Sequence, residues 1–256
     1  MAKSQPTVIL GVNKAEILHR LPPKATGMIA LQGDTDLQGL DLHTVAMSRE
    51  KMEYRVDELH PINYIAAFRL TELALQVLVY QRPIKNNGES RLSGDNSIGI
   101  GGHVDRPDFV YNEDESLNFL ASVQKSGTTE WVQEIMLARD GQPVEMPMLV
   151  YTDVIYDPSN EVGKTHLGLF GQFFFDEKTE IVGSEDQIVD PHWCNVEDLG
   201  NEKYRFENWS KFIVPLCNHI ADLWKTDETF REHLKSLTKV PEPETLEPGS
   251  DSADSQ

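Results

Sequence analysis

The chain has 256 residues, 39% of them apolar and 25% charged, which is enough to bury a sizeable core in an ordinary globular protein. Its formal net charge of −19 opposes tight non-specific binding to nucleic acid, which needs clustered Lys and Arg. No apolar run is long enough to span a bilayer, the N-terminus lacks a secretory pattern, and two cysteines, Cys194 and Cys217, make neither a disulfide framework nor a Cys-rich zinc site. A cytoplasmic, reducing setting without membrane contact is the expectation.

In chain order, "TVILGV" reads as a strand, "KAEILHRL" as a short helix before Pro22-Pro23, and "TGMIALQG" as another strand. "NYIAAFRL" (63–70) and "LALQVLVYQR" (73–82) are β-type runs with a close connection, a predicted hairpin. "PIKNNGESRLSGDN" (83–96) is a polar loop rich in turn formers. "SIGIGGHVD" (97–105) follows as a strand; its glycines weaken a strand interior unless something must approach the backbone closely.

An acidic stretch, 105–116, reads as a lid or a loop. The spacing then predicts a helix over Thr128–Ala138, capped by Ser126 or Thr128 and closed by Gly141 and Pro143. Two long β-runs (146–157 and 164–176) flank the turn "PSNEVG", and "IVDPHWCNVEDL" (188–199) is a strand entering a turn. Helices are expected over 207–225, interrupted near Pro215, and over 227–237. The pattern is α+β, a mixed sheet with helices rather than a regular βαβ alternation. One domain is expected over 1–237, with residues 1–60 part of it. The tail 238–256 is rich in Pro, Ser and Glu, its last sixteen residues carry five acids and no base, and disorder is expected.

In the predicted helix Trp131, Ile135 and Ala138 make an apolar stripe, while Glu130, Gln133 and Glu134 lie at i, i+3 and i+4 on a neighbouring face. Two carboxylates one turn apart repel unless they are exposed, paired or holding a cation. Taken alone they fit a solvated helix face. As oxygen ligands they suit Mg²⁺ or Mn²⁺. His166 and His192 read as ordinary buried or loop histidines rather than zinc ligands. The aromatics Phe170, Phe173, Phe174 and Phe175 read as core.

A strand ending in Gly101-Gly102, a loop, and then "TEWVQEI" (129–135) together resemble the Nudix (MutT-like) hydrolase motif, a glycine followed by an Arg-Glu-x-x-Glu-Glu helix. "GESRLSGDNSIGIGGHVD", "NEVGKTHLGL" and "WCNVEDL" are similar to a bacterial branch of MutT-type phosphoesterases. The resemblance implies a Nudix-like mixed sheet sandwiched by helices and metal-dependent attack of water on phosphorus. The substrate would be a nucleoside diphosphate linked to another group. It further implies Mg²⁺ or Mn²⁺ held by Gly102, Glu130, Gln133 and Glu134, with Glu115 as the box glutamate. Glu130 and Glu134 would be the catalytic carboxylates. Lys85, Arg91, His103 and Lys164 would contact the substrate.

Two departures matter: Thr129 stands where the family has the arginine that orients the glutamates, and Gln133 where it has the first of the paired glutamates. Two readings therefore stand, a divergent pyrophosphohydrolase and a catalytically degenerate Nudix-fold module that binds a nucleotide or a protein. An open strand edge could pair two copies as a homodimer.

Overall fold

The computed structural model describes residues 7–31, 37–83 and 94–240. In chain order the elements are β1 (Val8–Asn13), α1 (Lys14–Arg20), β2 (Gly27–Ala30), β3 (Thr44–Ser48), α2 (Arg49–Met52), β4 (Glu58–Leu70), β5 (Leu75–Gln81) and β6 (Asn96–Ser97). They continue with α3 (Phe119–Glu134), β7 (Ile135–Arg139), β8 (Gln142–Pro143), β9 (Val150–Tyr156), β10 (His166–Asp176), β11 (Thr179–Ser184), β12 (Val189–Asn195), α4 (Asn208–Thr226) and α5 (Glu228–Leu237).

The main sheet runs β12-β5-β4-β10-β9-β2, with β1 against β3 and β4, and β6 on β5; β11-β7-β8 form a second, smaller sheet. Its axis is the parallel pair β4 and β10, in register from His60–His166 to Leu70–Asp176. Both strands are covered on two faces, so they are buried almost without a break and largely apolar. Side chains alternate across a strand. Tyr64, Ala66, Phe68, Phe170 and Phe174 accordingly pack toward Ile213, Cys217, Ile220 and Trp224 of α4. Ile65, Ala67, Phe173 and Phe175 pack on the other face with Trp131 and Ile135. The expected hairpin is β4–β5, antiparallel through Phe68–Val77, and the two long runs are β9 and β10. The N-terminal strands join the same sheet. No helix among the described residues is long and apolar enough to cross a membrane.

Three expectations change. The central helix begins nine residues before Thr128 and is capped by the Asn118 side chain, which accepts from Ala121 N at 2.9 Å, not by Ser126 or Thr128. It ends at Glu134; Ile135 and Ala138 belong to β7 and pair with β11. The stripe is thus shared by helix and strand, because β-branched Ile135 is drawn into a ladder that local spacing cannot reveal. In turn, α4 runs through Pro215 without a break, because Pro215 lies on the exposed face, where water can solvate the carbonyl its ring leaves unpaired. Finally, only Ser97 of the glycine-rich run lies in a ladder strand, β6; the rest is held by single bridges, Ile65–Ile100 and Ile62–His103 to β4 and Ile9–Asp105 to β1. The expected loop positions Lys85 and Arg91 and the acidic tail from 241 onward lie outside the described residues.

Candidate active site

The glycine-rich segment is anchored at its start. Glu207, the N-cap of α4, accepts from Trp209 N and Ser210 N and from the Tyr64 hydroxyl of β4, while Ser210 Oγ accepts from Ile98 N at 3.0 Å. From there the backbone exchanges bonds with β4: Ile65 N donates to Ile100 O at 2.8 Å and Asn63 N to Gly102 O at 2.9 Å. Each glycine answers to a different neighbour. A Cβ on Gly99 would lie 2.2 Å from Tyr64 Cε1, and one on Gly101, whose φ is 138°, would lie 2.4 Å from Asn63 O. These two let the segment lie flush on β4. Gly102 alone faces chemistry: its Cβ would sit 3.2 Å from Glu130 Oε2. A side chain there would push on the carboxylate.

Helix α3 reaches this point because Ser126 and Gly127 are small. A Cβ on Gly127 would meet Tyr151 Oη at 2.5 Å, so the helix packs close enough to β4 and β9 to lay Glu130 against Gly102. Fully buried Trp131 locks the rotation of the last turn, leaving Glu130 and Glu134 half-buried and Gln133 exposed. Burial and then the charges of Asp105, Asp108 and Glu185 raise the Glu130 pKa. Burial and then Glu130 and Glu185 push Glu134 up to about 7, against the opposing pull of Arg82.

Three features here escaped the sequence reading. Glu185 comes from the loop after β11, brought in by the β7–β11 ladder and by its own N–H donating to Glu134 O at 3.0 Å; no local signal marks it. Asp108, in the acidic stretch, is buried and accepts from Thr129 Oγ1 at 3.0 Å. Thr129, at the arginine position of the motif, therefore ties that stretch to the helix. The positive charge acting on Glu134 comes instead from Arg82, just past the end of β5.

The other expected site residues scatter. Glu115 is exposed on the Asn112–Ser116 turn with φ 64°, and the acids acting on Glu130 are Asp105, Asp108 and Glu185. Lys164 lies on the loop entering β10, paired with Glu161 at 2.6 Å. His103 turns to His60 and His166, with ring centroids 5.8 and 5.5 Å away.

The carboxylates are the fitting donors for a hard divalent ion. Two half-buried glutamates whose pKa values are raised by burial and then by neighbouring acids are relieved by a cation, and oxygen ligands are what Mg²⁺ and Mn²⁺ accept.

The mixed sheet between helices is a recognised fold. The structure of Tm1382, a candidate Nudix hydrolase, aligns with a TM-score of 0.61 at 21% identity, covering 83% of this chain and 99% of that one. A Nudix hydrolase from Alicyclobacillus acidocaldarius aligns at a TM-score of 0.42 with 11% identity, covering 62% of this chain and 90% of that one. The protein is a divergent member of the Nudix fold. Among curated proteins, Protein YmaB of Bacillus subtilis (strain 168) is 28% identical over 158 residues, 61% of this chain and 69% of its own length. No protein-family model matches the chain.

Proposed function

We propose that the protein is a metal-dependent hydrolase of a pyrophosphate bond in a nucleoside diphosphate linked to another group. The observation that carries this reading is the placement of the Glu130 carboxylate against Gly102, where a Cβ would lie 3.2 Å from Oε2, with Glu134 and Glu185 close enough to act on one another's charge. Glu130 and Glu134 would hold Mg²⁺ or Mn²⁺, with Glu185 as a further oxygen donor. Gly102 O is directed at Asn63 N–H, so only its second lone pair is left for a cation. Gln133, exposed one residue from the cluster, offers a neutral amide oxygen at its edge. When bound, the ion neutralises phosphate oxygens and makes a bound water acidic.

The chain's own residues supply the rest. One carboxylate of the pair Glu130 and Glu134 would take the proton of the attacking water while the other stays on the ion. Arg82 sets the local charge against which that proton is held. Lys85, Arg91 and Lys164 are proposed phosphate contacts.

The test is a panel of nucleotide sugars, dinucleoside polyphosphates, ADP-ribose, NADH and nucleoside triphosphates with Mg²⁺ or Mn²⁺, read by release of mononucleotide or phosphate. Turnover of one class that Glu134→Gln abolishes is the expected result. Turnover unaffected by Glu134→Gln overturns the site. Tight binding without turnover would identify a nucleotide-binding module, the reading that Thr129 and Gln133 favour.

A further inference from the structure

His103 follows Gly102 directly, yet the two residues serve different neighbourhoods: Gly102 meets Glu130, and the His103 ring meets two other histidines. His60 lies near the start of β4 and His166 opens β10; they are register partners across the parallel ladder, with ring centroids 4.8 Å apart. His103 is held beside them by its bridge to Ile62. One ring nitrogen of each can be chosen so that all three lie within 4.8 Å of one another.

Their hydrogen bonds say which nitrogens keep a lone pair for an ion. His60 is fully buried, and its Nε2 lies 3.1 Å from Met52 O, a carbonyl that only an N–H can satisfy. The proton is thereby assigned to Nε2. Nδ1 keeps its lone pair, and it is a buried nitrogen with no hydrogen-bond partner. His166 Nδ1 lies 2.6 Å from Val162 O, so its proton sits there and Nε2 carries the lone pair. This is the outer-shell arrangement of metal-binding imidazoles, in which the non-ligating N–H is fixed on a carbonyl. An unpartnered buried acceptor is a cost to the fold, and a cation would satisfy it.

We propose that His60, His103 and His166 form a second metal centre, for a divalent ion of the zinc class rather than Mg²⁺. Neutral imidazole suits Zn²⁺, whereas Mg²⁺ asks for oxygen. Tetrahedral zinc with bonds of about 2.0–2.1 Å places ligand nitrogens roughly 3.3 Å apart, so the rings close inward on binding. Among the described residues no fourth His, Cys, Asp or Glu joins the group, which leaves one coordination position for water or an anionic ligand. Arg49 is the nearby cation that opposes the ion; it is paired with Glu53 at 3.3 Å, whose charge favours it. The site lies beside the carboxylate cluster through the chain continuity of Gly102 and His103 but shares no ligand with it.

The experiment is calorimetric titration of the EDTA-dialysed full chain with ZnCl₂ and, separately, MgCl₂. It is repeated on His103→Asn and His166→Asn and on Glu134→Gln. One zinc per chain should bind at submicromolar Kd. Each histidine substitution should weaken that binding by about 100-fold or more, beyond the usual effect of losing an outer-shell partner. Glu134→Gln should leave it within about twofold, which separates this centre from the proposed hydrolytic site. Should the histidine variants fail to fold, imidazole ¹⁵N spectra of the wild-type chain decide. Zinc must shift His60, His103 and His166 while His60 keeps its proton on Nε2 and His166 on Nδ1. Zinc binding insensitive to both substitutions, or imidazole signals unmoved by zinc, overturns the proposal.

Discussion

Replacing Glu134 by Gln should make the metal-free protein more stable while removing the proposed hydrolytic activity. The fold holds this carboxylate with its pKa displaced from 4.5 to about 7, first by burial and then by Glu130 and Glu185. A raised acid pKa means that the folded chain binds more protons than the unfolded chain between those two values. Stability is therefore full below about pH 4.5 and is lost as the pH rises to about 7. At about 1.4 kcal/mol per pH unit the displacement is worth roughly 3 kcal/mol, an upper bound because part of the carboxylate meets solvent. In EDTA, urea unfolding at pH 8 should show Glu134→Gln more stable than wild type by about 1–3 kcal/mol, with little difference near pH 4. Adding Mn²⁺ should stabilise the wild type and narrow the gap, because the ion binds the folded chain only. A Glu134→Gln chain that is equally or less stable at pH 8 would refute the argument that burial and the neighbouring acids hold this carboxylate's pKa high.

Further outcomes follow from the same geometry. Gly102→Ala places a methyl 3.2 Å from Glu130 Oε2, so Mn²⁺ affinity should drop by about tenfold with a nearly unchanged Tm, checked by calorimetry and thermal melts. Gly99→Ala drives a methyl to 2.2 Å from Tyr64 Cε1, a ring fixed by its hydroxyl to Glu207 and Ser210; unfolding should show a loss of about 3 kcal/mol or more. Burial first, then Arg49, His166 and His60, lowers His103 to about 3. The folded chain thus favours neutral histidine, its contribution is complete above about pH 6.5, and it is lost as the pH falls toward 3. His103→Asn should flatten that acid limb in EDTA. Asn118→Ala removes the cap of α3 and should cost about 1 kcal/mol in equilibrium unfolding.

What the sequence determined by itself was local. Alternation and apolar runs located β4, β5, β9, β10 and β12, and the glycine-rich segment with Glu130 and Glu134 pointed to the Nudix fold, because glycines and spaced carboxylates leave their mark within a few residues. Tertiary structure decided the rest. The end of α3 at Glu134 depends on a ladder with β11. Glu185 enters the site only because that ladder brings its loop back some fifty residues later in the chain. The grouping of His60, His103 and His166 depends on the parallel register of β4 with β10. Long-range pairing of this kind follows from burial and backbone hydrogen bonding summed over the whole sheet, and no short window of residues contains it.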